Sequence, residues 1–333
     1  MKLLTDKEMA EGVPVIAHPN QLCRACLASK QTRTPYPRVA RWRAEKKLEL
    51  VHVDLCGPIT PSTAGGNMYF MLLIDDNTRW CYVYVLKTKD QALDAFVKFK
   101  AEAENVTGEK IKVLRSDRGG EFLVATFREE CEKARIQRHL TAPYCPQQNG
   151  VVERKNRTVM EMARSLLKSM NVLGRLWGEA VRHSVYMLNR LPTKAMGDKT
   201  PFEGWYGRKP NLGYLKVLGC TAHVRIAGTH LKKLDDRSKP MVYLGVDEGC
   251  KAPMLLDVTG NKVVVSRDII CEESIPWSWS VVSGEDVTVD FVVVDEVEPV
   301  IYDVGSGNSE GHAQQTQSVS GGASGGNIVE SAG

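Results

Sequence analysis

Three short apolar runs, rich in β-branched and aromatic residues, crowd into residues 48–86: LELVHVDL (48–55), MYFMLLIDD (68–76) and WCYVYVL (80–86). The first is closed by Gly57-Pro58, and the second and third are joined by Asp76-Asn77-Thr78, a hairpin-like linker. Runs spaced in this way form adjacent antiparallel strands. The period then changes. Ala92, Ala95, Phe96 and Phe99 recur at helical spacing over 89–104, IKVLRS (111–116) reads as a strand and 122–134 as a helix. A short strand over 136–140 leads through Pro143 and Pro146 into a long helix over 149–170. Antiparallel neighbours followed by alternating strands and helices describe an α/β core.

The remainder divides by composition. Residues 174–215 begin helical (LWGEAVRHSVYMLNRL, 176–191) and become rich in breakers at Pro192, Pro201, Gly204, Gly207 and Pro210. From 217 to 275 the short β-rich pieces TAHVRIA, MVYLGV, MLLDV and KVVVSRDII suit a small barrel. Residues 304–333 hold eight Gly and six Ser, the composition of a flexible tail. The expected organisation is a polar segment (1–45), an α/β core (46–170), a helical connector (171–216), a small barrel (217–275) and an acidic, Gly/Ser-rich tail (276–333).

Charge is unevenly placed. Residues 1–267 hold all 44 Lys and Arg against 28 of the 40 Asp and Glu, a net of +16, and the rest of the chain carries −12. A basic body of this size points to a polyanion, most simply nucleic acid. No apolar run approaches the roughly 18 residues of a membrane span, and Asp6 and Glu8 stand where a signal peptide needs its apolar core. The expectation is a protein that is not secreted and has no membrane partner. Its nine Cys are scattered apart from one C-x-x-C, which argues against a disulfide framework.

Three acids stand where a strand or helix edge meets a turn: Asp54 in HVDLCGP, Asp117 in RSDRGGEF and Glu153 in PQQNGVVERKNR. Any one of them alone is an ordinary turn or cap residue. Together they are placed to converge, and packed carboxylates repel unless cations neutralise them. Hard divalent ions, Mg²⁺ or Mn²⁺, suit oxygen donors, and two such ions about 4 Å apart serve phosphoryl chemistry.

Asp117 and Glu153 are separated by 35 residues, and here the chain resembles the integrases of copia-type long-terminal-repeat retrotransposons. Matching phrases run in family order over about residues 13–275: CRACLASKQTRTPYP, HVDLCGP, MLLIDDNTRWCYVYVL, LRSDRGGEF, TAPYCPQQNGVVERKNRTVMEMARSLL, NRLPTK, KTPFEGWYGRKP, LGCTAHV and KLDDRSKPMVYLGV. The resemblance implies a ribonuclease-H-like catalytic core with a mixed five-stranded sheet, followed by an SH3-like β-barrel. It implies Asp54, Asp117 and Glu153 as ligands of two Mg²⁺ or Mn²⁺ ions. The implied reaction is attack of a DNA 3′-hydroxyl on a target phosphodiester, with no covalent enzyme intermediate and no small-molecule substrate. It further implies a homo-oligomer acting on DNA in the nucleus after a cytoplasmic particle stage. The alternative is a catalytically inactive or domesticated DNA-binding remnant.

Within that resemblance, Gln147, Gln148 and Asn149 fall in the loop before the catalytic helix and are expected to meet DNA, with Asn149 also placed to cap the helix. Arg154, Lys155 and Arg157 follow Glu153 and are expected to contact phosphates. Glu153, Arg157, Glu161 and Arg164 share one helical edge, where a solvated ladder of ion pairs is the plainer reading of the arginines. His52 reads as a packed core histidine, and Asp75-Asp76 as residues that shape the hairpin. Cys23 and Cys26 are half of a tetrahedral Zn²⁺ site. The family's His partners lie upstream, and only His18 precedes Cys23, so a truncated zinc module is expected.

Overall fold

The computed structural model describes residues 42–142, 149–226, 232–247 and 249–279, together with positions 7, 11 and 12. The zinc-module cysteines, Gln147, Gln148 and the Gly/Ser-rich tail lie outside the described residues. The three apolar runs form β1 (Leu50–Cys56), β2 (Tyr69–Asp75) and β3 (Cys81–Leu86), antiparallel in that order with Val51 opposite Asp75 and Ile74 opposite Cys81. A 3₁₀ turn takes residues 89–91, and α1 (Ala92–Thr107) then buries Ala92, Ala95, Phe96, Phe99 and Ala103. β4 (Val113–Ser116) returns parallel to β1, and β5 (Gln137–Leu140) pairs parallel with β4. The sheet order is β3-β2-β1-β4-β5. The segment read as one helix over 122–134 is two, α2 (Gly120–Leu123) and α3 (Ala125–Lys133), because Val124 adopts an extended ψ of 146° between them.

Both faces of this sheet are covered, which explains why β2 reads as continuously apolar rather than alternating. Val51, Val53, Met71, Leu73 and Leu114 pack with Phe96, Phe99 and Phe127 on one face. Phe70, Leu72 and Ile74 face the other way, onto Val152, Val159 and Ala163 of α4 (Gly150–Ser169). α5 (Trp177–Leu188) extends that second core, and α6 (Pro201–Tyr206) returns to the hairpin. There Trp205 stacks on Trp80, with ring centroids 6.0 Å apart and 13° between planes. Thr200 starts α6 by accepting the Glu203 N–H, with Pro201 at the first helical position.

The second sheet is antiparallel, with β6 (Cys220–Arg225), β7 (Ser238–Asp247), β8 (Ala252–Asp257), β9 (Lys262–Val265) and β10 (Ile269–Pro276) in the order β10-β6-β7-β8-β9. It does not bury a core of its own. Cys220, Ala222, Val242, Leu244 and Leu255 join Trp177, Ala180, Val181 and Val185 of α5 and the β2 face in one apolar cluster. The entry into β6 is tight. Gly219 has φ +90°, and a Cβ there would lie 2.2 Å from Val172, so only glycine fits the LGC phrase.

Two polar devices hold the hairpin. Asp75 accepts from the Leu48 and Thr78 N–H groups and the Thr78 hydroxyl, and Asp76 accepts from the Ala44 N–H, His52 Nε2 and Arg79. Burial alone would raise the Asp76 carboxyl, but those bonds and the Arg79 charge hold it down at about 2. Asn189, at the end of α5, donates to Cys81 O at 2.8 Å and accepts the Cys81 N–H at 2.9 Å. Its side chain thus completes the first rung of an edge strand. Asn189→Ala leaves two buried backbone groups unpaired and should lower unfolding stability by about 3 kcal/mol, read as a fall in the denaturation midpoint. A loss under about 1 kcal/mol would contradict this role for Asn189.

Candidate active site

The last residues of β1 escape the full burial of the first four, and Asp54 lies there, half-buried, opposite Leu72 of β2. On the other flank the parallel register pairs His52 with Arg115. Two residues further along from each come Asp54, still in β1, and Asp117, just past the end of β4. Asp117 Oδ1 accepts the Gly119 N–H at 2.9 Å, turning the chain toward α2. α4 enters over the same end of the sheet. Asn149 Nδ2 donates to Val53 O at 3.1 Å, one residue before Asp54. From this tether Val152, Asn156, Val159 and Ala163 face inward, and Glu153 lies half-buried beside Val152. Asn156 Nδ2 then donates to Asp54 Oδ2 at 2.8 Å.

The three acids feel one another. Burial is the first cause that raises the Asp54 carboxyl to about 7; the charges of Asp117 and Glu153 add to it, against the bonds from Asn156 and the Leu55 N–H. Glu153 is raised by burial and then by Asp117, with Arg154 opposing. Carboxylates that raise one another's pKa are relieved by hard cations. Among the described residues no group of three His, Cys, Asp or Glu side chains is gathered closely enough to hold a metal ion. The donor chemistry fits a hard divalent ion all the same. Every acidic donor is a carboxylate oxygen, and the buried Asn156 Oδ1, beside Asp54, has no hydrogen-bond partner among the described residues.

Other expected residues fall in different places. Asn149 is fully buried with its amide bonded to Val53 O of β1, and its side chain makes no cap hydrogen bond. Arg154 and Arg157 are exposed, whereas Lys155 is half-buried and its charge bears on the buried Cys81 thiol of β3. The ion-pair ladder does not form, since no salt bridge among the described residues joins Glu153, Arg157, Glu161 and Arg164. His52 is a core histidine, 1% exposed, bonded through Nε2 to Asp76 at 2.9 Å and pushed by burial toward its neutral form. Asn156 was not singled out from the sequence; its position three residues after Glu153, on the same helical face, was the available signal.

Residues 44–146 match the integrase core domain, and residues 220–285 match the retroviral polymerase SH3-like domain. The chain is similar to the retrovirus-related Pol polyprotein from transposon TNT 1-94 of Nicotiana tabacum, 40% identical over 252 residues that cover 76% of this chain and 19% of that polyprotein. It is also similar to the Pol polyprotein from transposon RE2 of Arabidopsis thaliana, 31% identical over 265 residues, 79% of this chain and 18% of the relative. The chain therefore spans about a fifth of the length of the curated relatives it matches. Among solved structures, a simian T-cell lymphotropic virus intasome in complex with PP2A regulatory subunit B56 gamma aligns over 77% of this chain and 85% of the matched chain, at 16% identity and a TM-score of 0.46.

The raised Asp54 carboxyl has a consequence for stability. Its contribution is fully present below the unfolded value near 4 and is lost as the pH rises through about 7. Asp54→Asn removes the repelling charge and should raise the thermal midpoint at pH 8 by about 5 °C, a gain that shrinks as the pH is lowered from 7 toward 4. A gain independent of pH would contradict the electrostatic account.

Proposed function

The chain carries the integrase core and SH3-like region of copia-type retrotransposon Pol polyproteins, and from that premise we propose that it is a metal-dependent DNA strand transferase. It joins the 3′-hydroxyl ends of element DNA to phosphodiesters of target DNA at Asp54, Asp117 and Glu153. The observation that carries this reading is the placement of the three acids, Asp54 and Asp117 at the ends of neighbouring parallel strands and Glu153 on the helix whose Asn156 bonds Asp54. Two Mg²⁺ or Mn²⁺ ions held by these carboxylates would supply Lewis-acid stabilisation of the charge that develops at phosphorus. The protein's own part is positioning. Asn156 fixes the orientation of Asp54, Asn149 fixes where α4 starts, and Arg154 and Arg157 present exposed positive charge to the DNA backbone beside Glu153. No side chain is required as a nucleophile.

The same reading includes a homo-oligomer assembled on DNA and action in the nucleus. Gln147 and Gln148 remain candidates for contact with the DNA ends. A Zn²⁺ ion on Cys23 and Cys26 would need two further ligands.

A strand-transfer assay tests the proposal. The full chain, terminal-repeat oligonucleotides and Mg²⁺ or Mn²⁺ should give joined product that Glu153→Gln abolishes. Asn156→Ala, which frees the Asp54 carboxylate, should lower the rate about 10- to 100-fold. DNA binding without product under either metal would overturn the enzyme reading in favour of a binding remnant.

A further inference from the structure

At the carboxyl ends of β4 and β5 a cleft of about 510 Å³ opens, lined by Arg115, Arg138, His139, Leu140 and Thr141. Three of these five side chains carry nitrogen bases and none is a carboxylate. The parallel register pairs Arg115 with His139, so both stand on one face of the sheet, and Asp117 follows Arg115 by two residues. Arg138 points to the other face, where it donates to Phe122 O and lies over the Phe127 ring at 5.7 Å. Its role is accounted for by those contacts.

Arg115 is different. It is half-buried, yet its guanidinium makes no ion pair or hydrogen bond among the described residues. The one acid whose charge bears on it is Asp76, which is already bonded to His52 and Arg79. A guanidinium drawn partly out of water without an anionic partner is costly, and a planar oxyanion donor or phosphate returns that cost through charge-assisted bonds. The position suits a ligand too, because open α/β sheets take their ligands at the carboxyl ends of parallel strands. The cleft is far larger than one inorganic phosphate, and the body around it carries a net of +16 over residues 1–267.

We propose that this cleft is a phosphate subsite, in which Arg115, with His139 beside it, seats a backbone phosphodiester of the DNA strand that passes the acidic site. The proposal rests on the reading of the chain as a DNA strand transferase and extends it to residues outside the acidic triad. It gives the enzyme a second hold on the backbone, on the β5 side of Asp117, independent of the ions.

The test is duplex DNA binding by the full chain without divalent metal, across a range of salt concentrations. Arg115→Gln should reduce the slope of log affinity against log salt by about one unit, and Arg115→Lys should restore it. A scan of single methylphosphonates, each removing one backbone charge, should find a position that weakens binding to the unaltered chain and has no effect on Arg115→Gln. Should Arg115→Gln fail to fold, His139→Gln and the scan on the unaltered chain decide the matter. An unchanged slope with intact binding, or a flat scan with competition by inorganic phosphate alone, overturns the subsite and leaves the acidic site untouched. Failure of the unaltered chain to bind DNA overturns both readings.

Discussion

The interior position of β1, with different partners on its two flanks, is the constraint on which the acidic end of the molecule depends. Antiparallel pairing with β2 sets the apolar run of residues 69–75 against one flank. Parallel pairing with β4 makes the two strands end at the same side, so that Asp54 and Asp117 emerge together. α4 has no such pairing to fix it. Its placement comes from the inward stripe of Val152, Val159 and Ala163 and from two amide bonds to β1, Asn149 to Val53 and Asn156 to Asp54. Without those bonds the helix could slide along the apolar face, and Glu153 would lose its place beside the aspartates.

The same sheet buries carboxylates in two opposite ways. Asp76 is surrounded by donors from His52, the Ala44 N–H and Arg79, and is held ionised at about 2 despite its burial. Asp54, a strand away, is buried beside two further acids and is pushed up to about 7. The first arrangement ties the hairpin to the segment before β1 and has no demand left over. The second is an unmet electrostatic demand, and unmet demand near a shared edge is the physical form that binding sites take. Removing an acid therefore has opposite expected effects at the two places, which separates structure from function without reference to any relative.

Much of the fold was legible because it follows local pattern. MYFMLLIDD and WCYVYVL announce buried strands, and the Ala92, Ala95, Phe96, Phe99 stripe announces α1. The three acids drew attention in the sequence through their turn edges and their spacing, and Asp54 and Asp117 do stand at the ends of neighbouring parallel strands. What stayed hidden is long-range. FLVATF contains no Gly or Pro, so nothing local marks the break at Val124 between α2 and α3. The apolar pieces after 217 read as a small barrel, but nothing local shows that α5 joins that sheet and the first one in a single apolar cluster. Asn149, Asn156 and Asn189 look like surface polar residues; their partners lie 96, 102 and 108 positions away, and no local window contains them.

The central claim is that Asp54, Asp117 and Glu153 form one repelling set that a divalent cation relieves. The most direct measurement is the thermal midpoint of the full chain at pH 8 as Mg²⁺ is added, compared with that of Asp54→Asn. The account predicts a midpoint that climbs with Mg²⁺ in the unaltered chain, as binding to the folded state requires, and stays flat in Asp54→Asn. Equal responses in the two proteins, or none in either, would contradict it.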